Sequence, residues 1–196
     1  MALSITIDDR RALRALERQL DQVAKNVGRE LERANISVQR ATFTESKRAI
    51  TDTYNLPQNR VAGPLSVRTA ANRRGFVVSG NPTPITFVSY RARALTRGGV
   101  QVAIFKGKAK VIRKGFKAPS PQGTDLFWIR TGEAPRRMTR GRYDGKFREP
   151  IRPLTGPSVA DHLNNRSVRG RIERFYFTRM NRELLARINR LQRNRT

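Results

Sequence analysis

The chain has 196 residues and a formal net charge of +26, from 41 Lys and Arg against 15 Asp and Glu. Hydrophobic residues make up 37% with nine Phe, which argues against wholesale disorder, and charged residues make up 29%, so the sign of the charge is abnormal rather than its amount. The absence of cysteine excludes disulfides and thiolate metal sites, and the single His162 adds little metal-binding capacity.

Residues 1–7 have no basic n-region and run into Asp8 and Asp9, so they do not read as a secretory signal. From Arg10 onward Leu13, Leu16, Leu20, Val23, Val27, Leu31, Ala34 and Val38 recur at steps of three and four. That spacing predicts an amphipathic helix over about residues 8–52, capped by Asp8 or Asp9 and stopped at Asn55-Leu56-Pro57. Forty helical residues span about 60 Å at 1.5 Å each, so a kink near Gly28 or a projecting helix is expected. Two readings of its stripe stand: packing on the chain's own sheet, or contact with another copy through Leu13, Leu16, Leu20, Val23, Val27 and Leu31.

Residues 61–72 are ambiguous, with a short helix expected after Gly63-Pro64. Strand-like runs follow at 75–79, 85–90, 99–105, 110–116 and 125–130, separated by Gly, Pro and Ser clusters that favour antiparallel meandering. The longest charge-free window, 75–90, holds Pro82 and Pro84 and is 16 residues long, short of the ~20 apolar residues of a spanning helix. No membrane partner is expected. Residues 131–149 carry Arg136, Arg137, Arg140, Arg142, Lys146 and Arg148 without apolar periodicity and read as a long basic loop. A C-terminal helix is predicted over about 158–192, opened by a Ser158–Asp161 capping box. Its stripe is Ile172, Phe175 or Tyr176, Met180, Leu184, Ile188 and Leu191. The expected fold is α+β: a mainly antiparallel sheet (about 61–151) packed with the two helices in a single domain, 1–196.

Charge is the most informative feature. Between Asp52 and Asp125 lie 72 residues with 13 Lys and Arg and no acid, and +24 of the +26 falls after residue 52. Such self-repulsion opposes compaction and implies a polyanion or an acidic partner. The candidate residues facing DNA or an acidic partner are Arg91, Arg93, Arg97, Lys106, Lys108, Lys110, Arg113, Lys114, Arg136, Arg137, Arg140 and Arg142, with Lys117 beside them. Catalytic designs fare worse. The acid-free block supplies no carboxylate, and Asp125, Glu133, Asp144 and Glu149 read as salt-bridge partners rather than as a two-metal nuclease site. Gly107-Lys108-Ala109 lacks the glycine spacing and the Ser or Thr of a phosphate loop. No cofactor, metal or enzymatic activity is expected.

Taken in order, Tyr54-Asn55-Leu56, Gly99-Val100, Lys106-Gly107-Lys108, Gly115-Phe116, residues 127–130, Pro150-Ile151 and Leu154-Thr155-Gly156-Pro157-Ser158 resemble the minor tail protein Z family of tailed bacteriophages. The likeness runs over nearly the whole chain, although the Arg-rich segment between Arg130 and Pro150 and the very basic last helix depart from the family pattern. It implies a structural protein, without enzymatic activity, that completes the tail and helps join it to the head around the DNA channel. It places the chain in the virion tail or neck, made in the bacterial host cytoplasm. The implied partners are further copies in a homo-oligomeric ring, acidic neck and tail proteins, and duplex DNA in the channel. In a ring of six, an assumption borrowed from phage-tail symmetry, copies at +26 sum to +156. A channel roughly 40 Å long holds only about 24 phosphates, so most arginines are expected to meet acidic protein surfaces. The runner-up reading is a free basic nucleic-acid-binding protein that contacts phosphates nonspecifically.

Overall fold

The computed structural model describes residues 4–6, 27–70 and 75–193. These residues form an α+β fold whose strand pairings are all antiparallel. The chain divides into two compact units. The first comprises Met1–Asp52, Gln58–Thr83 and Ser158–Thr196; the second comprises Thr53–Pro57 and Pro84–Pro157.

In the first unit, helix α1 (Val27–Thr53) buries Ala34, Val38, Thr42 and Ser46 at steps of four, followed by Ala49 and Ile50. Small residues on that face suit close helix packing. Helix α4 (Arg166–Arg193) runs antiparallel to it: Arg187 reaches Glu30 at 3.1 Å, Tyr176 donates to Asn35 at 3.4 Å, and Arg171 bridges Glu45 (2.7 Å) and Asp52 (2.8 Å). On α4 the stripe Ile172, Tyr176, Met180 and Leu184 is buried, and Phe175 and Ile188 are half-buried. Burying each such large side chain contributes about 1.5–3 kcal/mol. Of the expected N-terminal helix stripe, Leu13, Leu16, Leu20 and Val23 lie outside the described residues, Val27 opens α1, and Leu31 is half-buried. Where the stripe continues, Ala34 and Val38 are fully buried.

The helices accompany a three-stranded sheet in which β3 (Phe76–Gly80) lies between β1 (Ser4–Thr6) and β2 (Leu65–Thr69). Phe76, Val78 and Gly80 are buried and Val77 and Ser79 less so, as period-two alternation requires. Tyr176 meets the Phe76 ring edge-on at 4.5 Å. The expected helix after Gly63-Pro64 is corrected: helix α2 (Gln58–Ala62) ends before that pair, and β2 follows it. β-Branched Val67 and Thr69 fit a strand, β3 pairs with all five β2 residues, and Gln39 on α1 donates to the Val67 carbonyl at 2.6 Å.

The expected C-terminal helix is two segments. Helix α3 (Val159–Asn164) opens with the capping box: Ser158 Oγ accepts from Asp161 N–H at 3.1 Å, and Asp161 Oδ2 accepts from Ser158 N–H at 2.9 Å. Asn165 leaves helical geometry, ends α3, and accepts from Ser167 N–H on its side chain at 2.9 Å, so one residue stops one helix and starts the next. A Cβ on Gly80 would lie 2.8 Å from Ala160 N and Val159 C, so α3 rests on a strand position only glycine leaves open.

In the second unit, β6 (Val100–Phe105) is central between β5 (Arg93–Ala94) and β7 (Lys108–Ile112), and β9 (Asp125–Arg130) is central between β8 (Gly115–Pro119) and β12 (Ile151–Pro153). β4 (Ile85–Thr86) pairs with β13 (Thr155–Gly156). The fully buried Tyr90 anchors this unit: its hydroxyl donates to the Pro157 carbonyl at 2.7 Å, and its ring lies where a Cβ on Gly156 would sit. Val100, Val102, Phe127 and Leu154 are buried in the same unit. Three expectations are refined. The run 85–90 is a two-residue strand followed by a 3-10 turn, Phe87–Tyr90; the run 110–116 is split by a turn at Arg113-Lys114; and 131–149 contains a hairpin of β10 (Arg136–Arg137) and β11 (Phe147–Arg148).

Candidate anion-binding surface

All twelve cations singled out in the sequence fall in the second unit, on its turns and outer strand positions. Gly107 takes φ 75°, a value glycine reaches without strain, and this closes the β6–β7 turn with Lys106 and Lys108 on either side. β7 is an edge strand on which Lys108, Ala109, Lys110 and Val111 are exposed. Lysines on an edge discourage further strands from adding to it. With Arg113 and Lys114 in the next turn, five cations occupy residues 106–114. Arg91 follows the 3-10 turn in the left-handed region at φ 55°, and on β5 the Arg93 side chain donates to Gln101 Oε1 at 2.7 Å. Arg97 is exposed in the turn before β6.

The hairpin gathers the remaining candidates. Arg136 stands directly opposite Arg148, and Arg137 opposite Phe147. Arg140 is exposed just before the 3-10 turn Gly141–Tyr143, which contains Arg142. Arg136 is held by Glu133 at 2.7 Å, and the Arg148 guanidinium lies 3.4 Å from the centre of the Tyr143 ring. Opposed like charges repel, and these two contacts offset that repulsion.

Little of this surface is neutralised internally. The second unit carries 17 Lys and Arg against Asp125, Glu133, Asp144 and Glu149, a net +13. Over both units the described side chains include 31 Lys and Arg and 11 Asp and Glu, leaving 20 cations that no described carboxylate can neutralise one for one. Eight of the 11 carboxylates already sit in ion pairs: Glu30, Glu45, Asp52, Asp125, Glu133, Glu149, Glu173 and Glu183. Of the eleven candidates whose side chains are described, only Arg136 forms an ion pair among the described residues.

The four second-unit carboxylates do not converge. Asp125 pairs with Lys117 at 2.6 Å, Glu133 with Arg136, and Glu149 with Arg130 at 3.9 Å while accepting from Gly132 N–H at 2.7 Å. Among the described residues no three His, Asp or Glu side chains are grouped to hold a metal ion. In the first unit His162 is fully buried, and burial holds its pKa down at about 4 against the opposing pull of the Asp161 carboxylate. Such an imidazole is neutral at physiological pH. No described helix is long and apolar enough to cross a membrane.

Sequence reasoning missed Phe147. It is 71% exposed, more than any other large apolar side chain described, and it sits within the Arg-rich hairpin. The available signal was its place in a segment with no apolar period to bury it.

These features define an α+β protein with an open, cation-rich strand unit. No family model, curated protein or solved structure matches the chain.

Proposed function

We propose that the chain is a structural, non-enzymatic component of a bacteriophage tail or neck, acting in tail completion at the junction with the head. It works by adhesion: cationic turns and edges of the second unit lie against anionic surfaces of neighbouring components and of DNA, while the first unit supplies a braced pair of helices. The ordered motif resemblance gives the class of particle. The observation that carries the adhesive role is the excess of 20 described cations over described carboxylates, 12 of which fall on the exposed strands and turns of the second unit. A surface so poorly neutralised from within suits external anions.

Electron-microscopic imaging of the purified protein and of phage particles tests this reading. A ring located at the head-proximal end of the tail is expected. A solitary monomer absent from particles, or divalent-metal-dependent DNA cleavage lost in Asp125→Ala or Asp144→Ala, would overturn it. The same excess of cations also suits a free nucleic-acid-binding protein, and tight, steeply salt-dependent DNA binding by a monomer absent from particles would favour that alternative.

A further inference from the structure

The hairpin within residues 131–150 is a built element with two unlike faces. At its base Thr131 N–H donates to the Pro150 carbonyl at 3.0 Å, and Glu149 accepts from Gly132 N–H. Nearer its tip Met138 N–H donates to the Lys146 carbonyl, and Gly145 N–H donates to the Met138 carbonyl, both at 2.9 Å. Side chains alternate across a two-stranded ribbon, so the Arg136–Arg148 pair and the Arg137–Phe147 pair lie on opposite faces. The first face is occupied from within by Glu133 and Tyr143. On the second face, Arg137 and Phe147 form no ion pair or ring contact among the described residues, and Phe147 stands 71% exposed.

We infer that this second face is a docking element for an acidic protein surface bearing an apolar pocket. Phe147 enters the pocket, and Arg137 pairs with a carboxylate on its rim. The assignment rests on the adhesive reading of the chain and names the chemistry of one of its partners.

Three observations select this occupant. Charge requires an anionic one, because residues 131–150 hold six Lys and Arg against three acids, and two of those acids, Glu133 and Glu149, are engaged within the segment and its base. A second copy of this chain is a poor source of that charge, since eight of its 11 described carboxylates are already matched by its own Arg and Lys. Nucleic acid fits this face less well: single strands stack on rows of aromatics, and a duplex takes one apolar wedge only by unstacking a base step, at a few kcal/mol that a broad wrapped surface must repay. An exposed aromatic beside an Arg is instead the composition of a protein–protein anchor, with the aromatic filling a pocket and the Arg near it.

The test is selection of short random peptides on the full-length protein, with counter-selection on the Phe147→Ser/Arg137→Ser variant and duplex DNA as a second probe. Enriched peptides are expected to carry Asp or Glu around an aromatic or aliphatic residue. They should bind the Phe147→Ser protein at least about tenfold more weakly, while duplex binding stays unchanged. Phe147→Leu retains apolar bulk and should keep most of the peptide affinity, and matching thermal midpoints verify that the variants are folded. The assignment fails if enriched peptides lack acidic residues or bind all variants equally. It fails equally if Phe147→Ser weakens duplex binding as much as peptide binding, which makes nucleic acid the occupant, or dissociates self-association, which makes it a second copy. None of these failures moves the protein within a phage particle, so the tail reading stands or falls separately.

Discussion

Lowering the pH is expected to destabilise the first unit through His162. This imidazole is fully buried in α3, and burial depresses its pKa from an ordinary 6.5 to about 4. The unfolded chain therefore takes up a proton that the folded chain resists. Stability from the neutral side chain is complete above pH 6.5 and is lost as pH falls towards 4. At about 1.4 kcal/mol per pKa unit, the loss between about pH 7 and pH 5 is roughly 2 kcal/mol, rising to about 3 kcal/mol below pH 4. Glu30 and Asp161, whose carboxyl pKa values are lowered by hydrogen bonds to Arg187 and to Ser158 respectively, add their losses below that window. Urea unfolding followed by far-ultraviolet circular dichroism across this range measures the slope. A His162→Gln variant should flatten it, whatever its absolute stability. Equal wild-type stability at both ends of the window, or an unchanged slope in the variant, refutes the assignment of a buried neutral imidazole.

Two backbone positions carry further predictions. Gly80→Ala places a methyl 2.8 Å from backbone atoms of α3 and should cost about 1–3 kcal/mol, read as a lower thermal midpoint. Arg91→Gly relieves a left-handed residue at φ 55°, a relief of about 1–2 kcal/mol that exceeds the roughly 0.5–1 kcal/mol of backbone freedom glycine adds to the unfolded chain, so the second unit should gain up to about 1 kcal/mol. A fall in the midpoint would show that the Arg91 side chain contributes to the fold.

The helical faces were legible because burial follows their period: Ala34 and Val38 on α1, and Ile172, Tyr176, Met180 and Leu184 on α4, are all buried. The Ser158–Asp161 cap was legible because it is local. Strand β2 was not, since its identity depends on β3 lying alongside, and the split at Asn165 was hidden under continuous helical composition. For the surface, charge counts located the cations, because an exposed Lys needs no tertiary partner to be exposed. They did not show that Arg136 faces Arg148, nor that Phe147 is left in solvent, because both follow from hairpin register. Register in a segment without apolar alternation is weakly written in sequence.

The most direct measurement replaces Lys106, Lys108, Lys110, Arg113 and Lys114 together with Gln. None of the five forms an ion pair among the described residues, so their removal should leave the thermal midpoint unchanged or raise it by relieving repulsion. Copies of the variant protein per purified phage particle, counted by quantitative mass spectrometry, should fall at least about tenfold, the equivalent of 1.4 kcal/mol or more of lost association. Normal incorporation of the neutralised protein, or collapse of its fold, would contradict the claim that these cations exist for anions outside the chain.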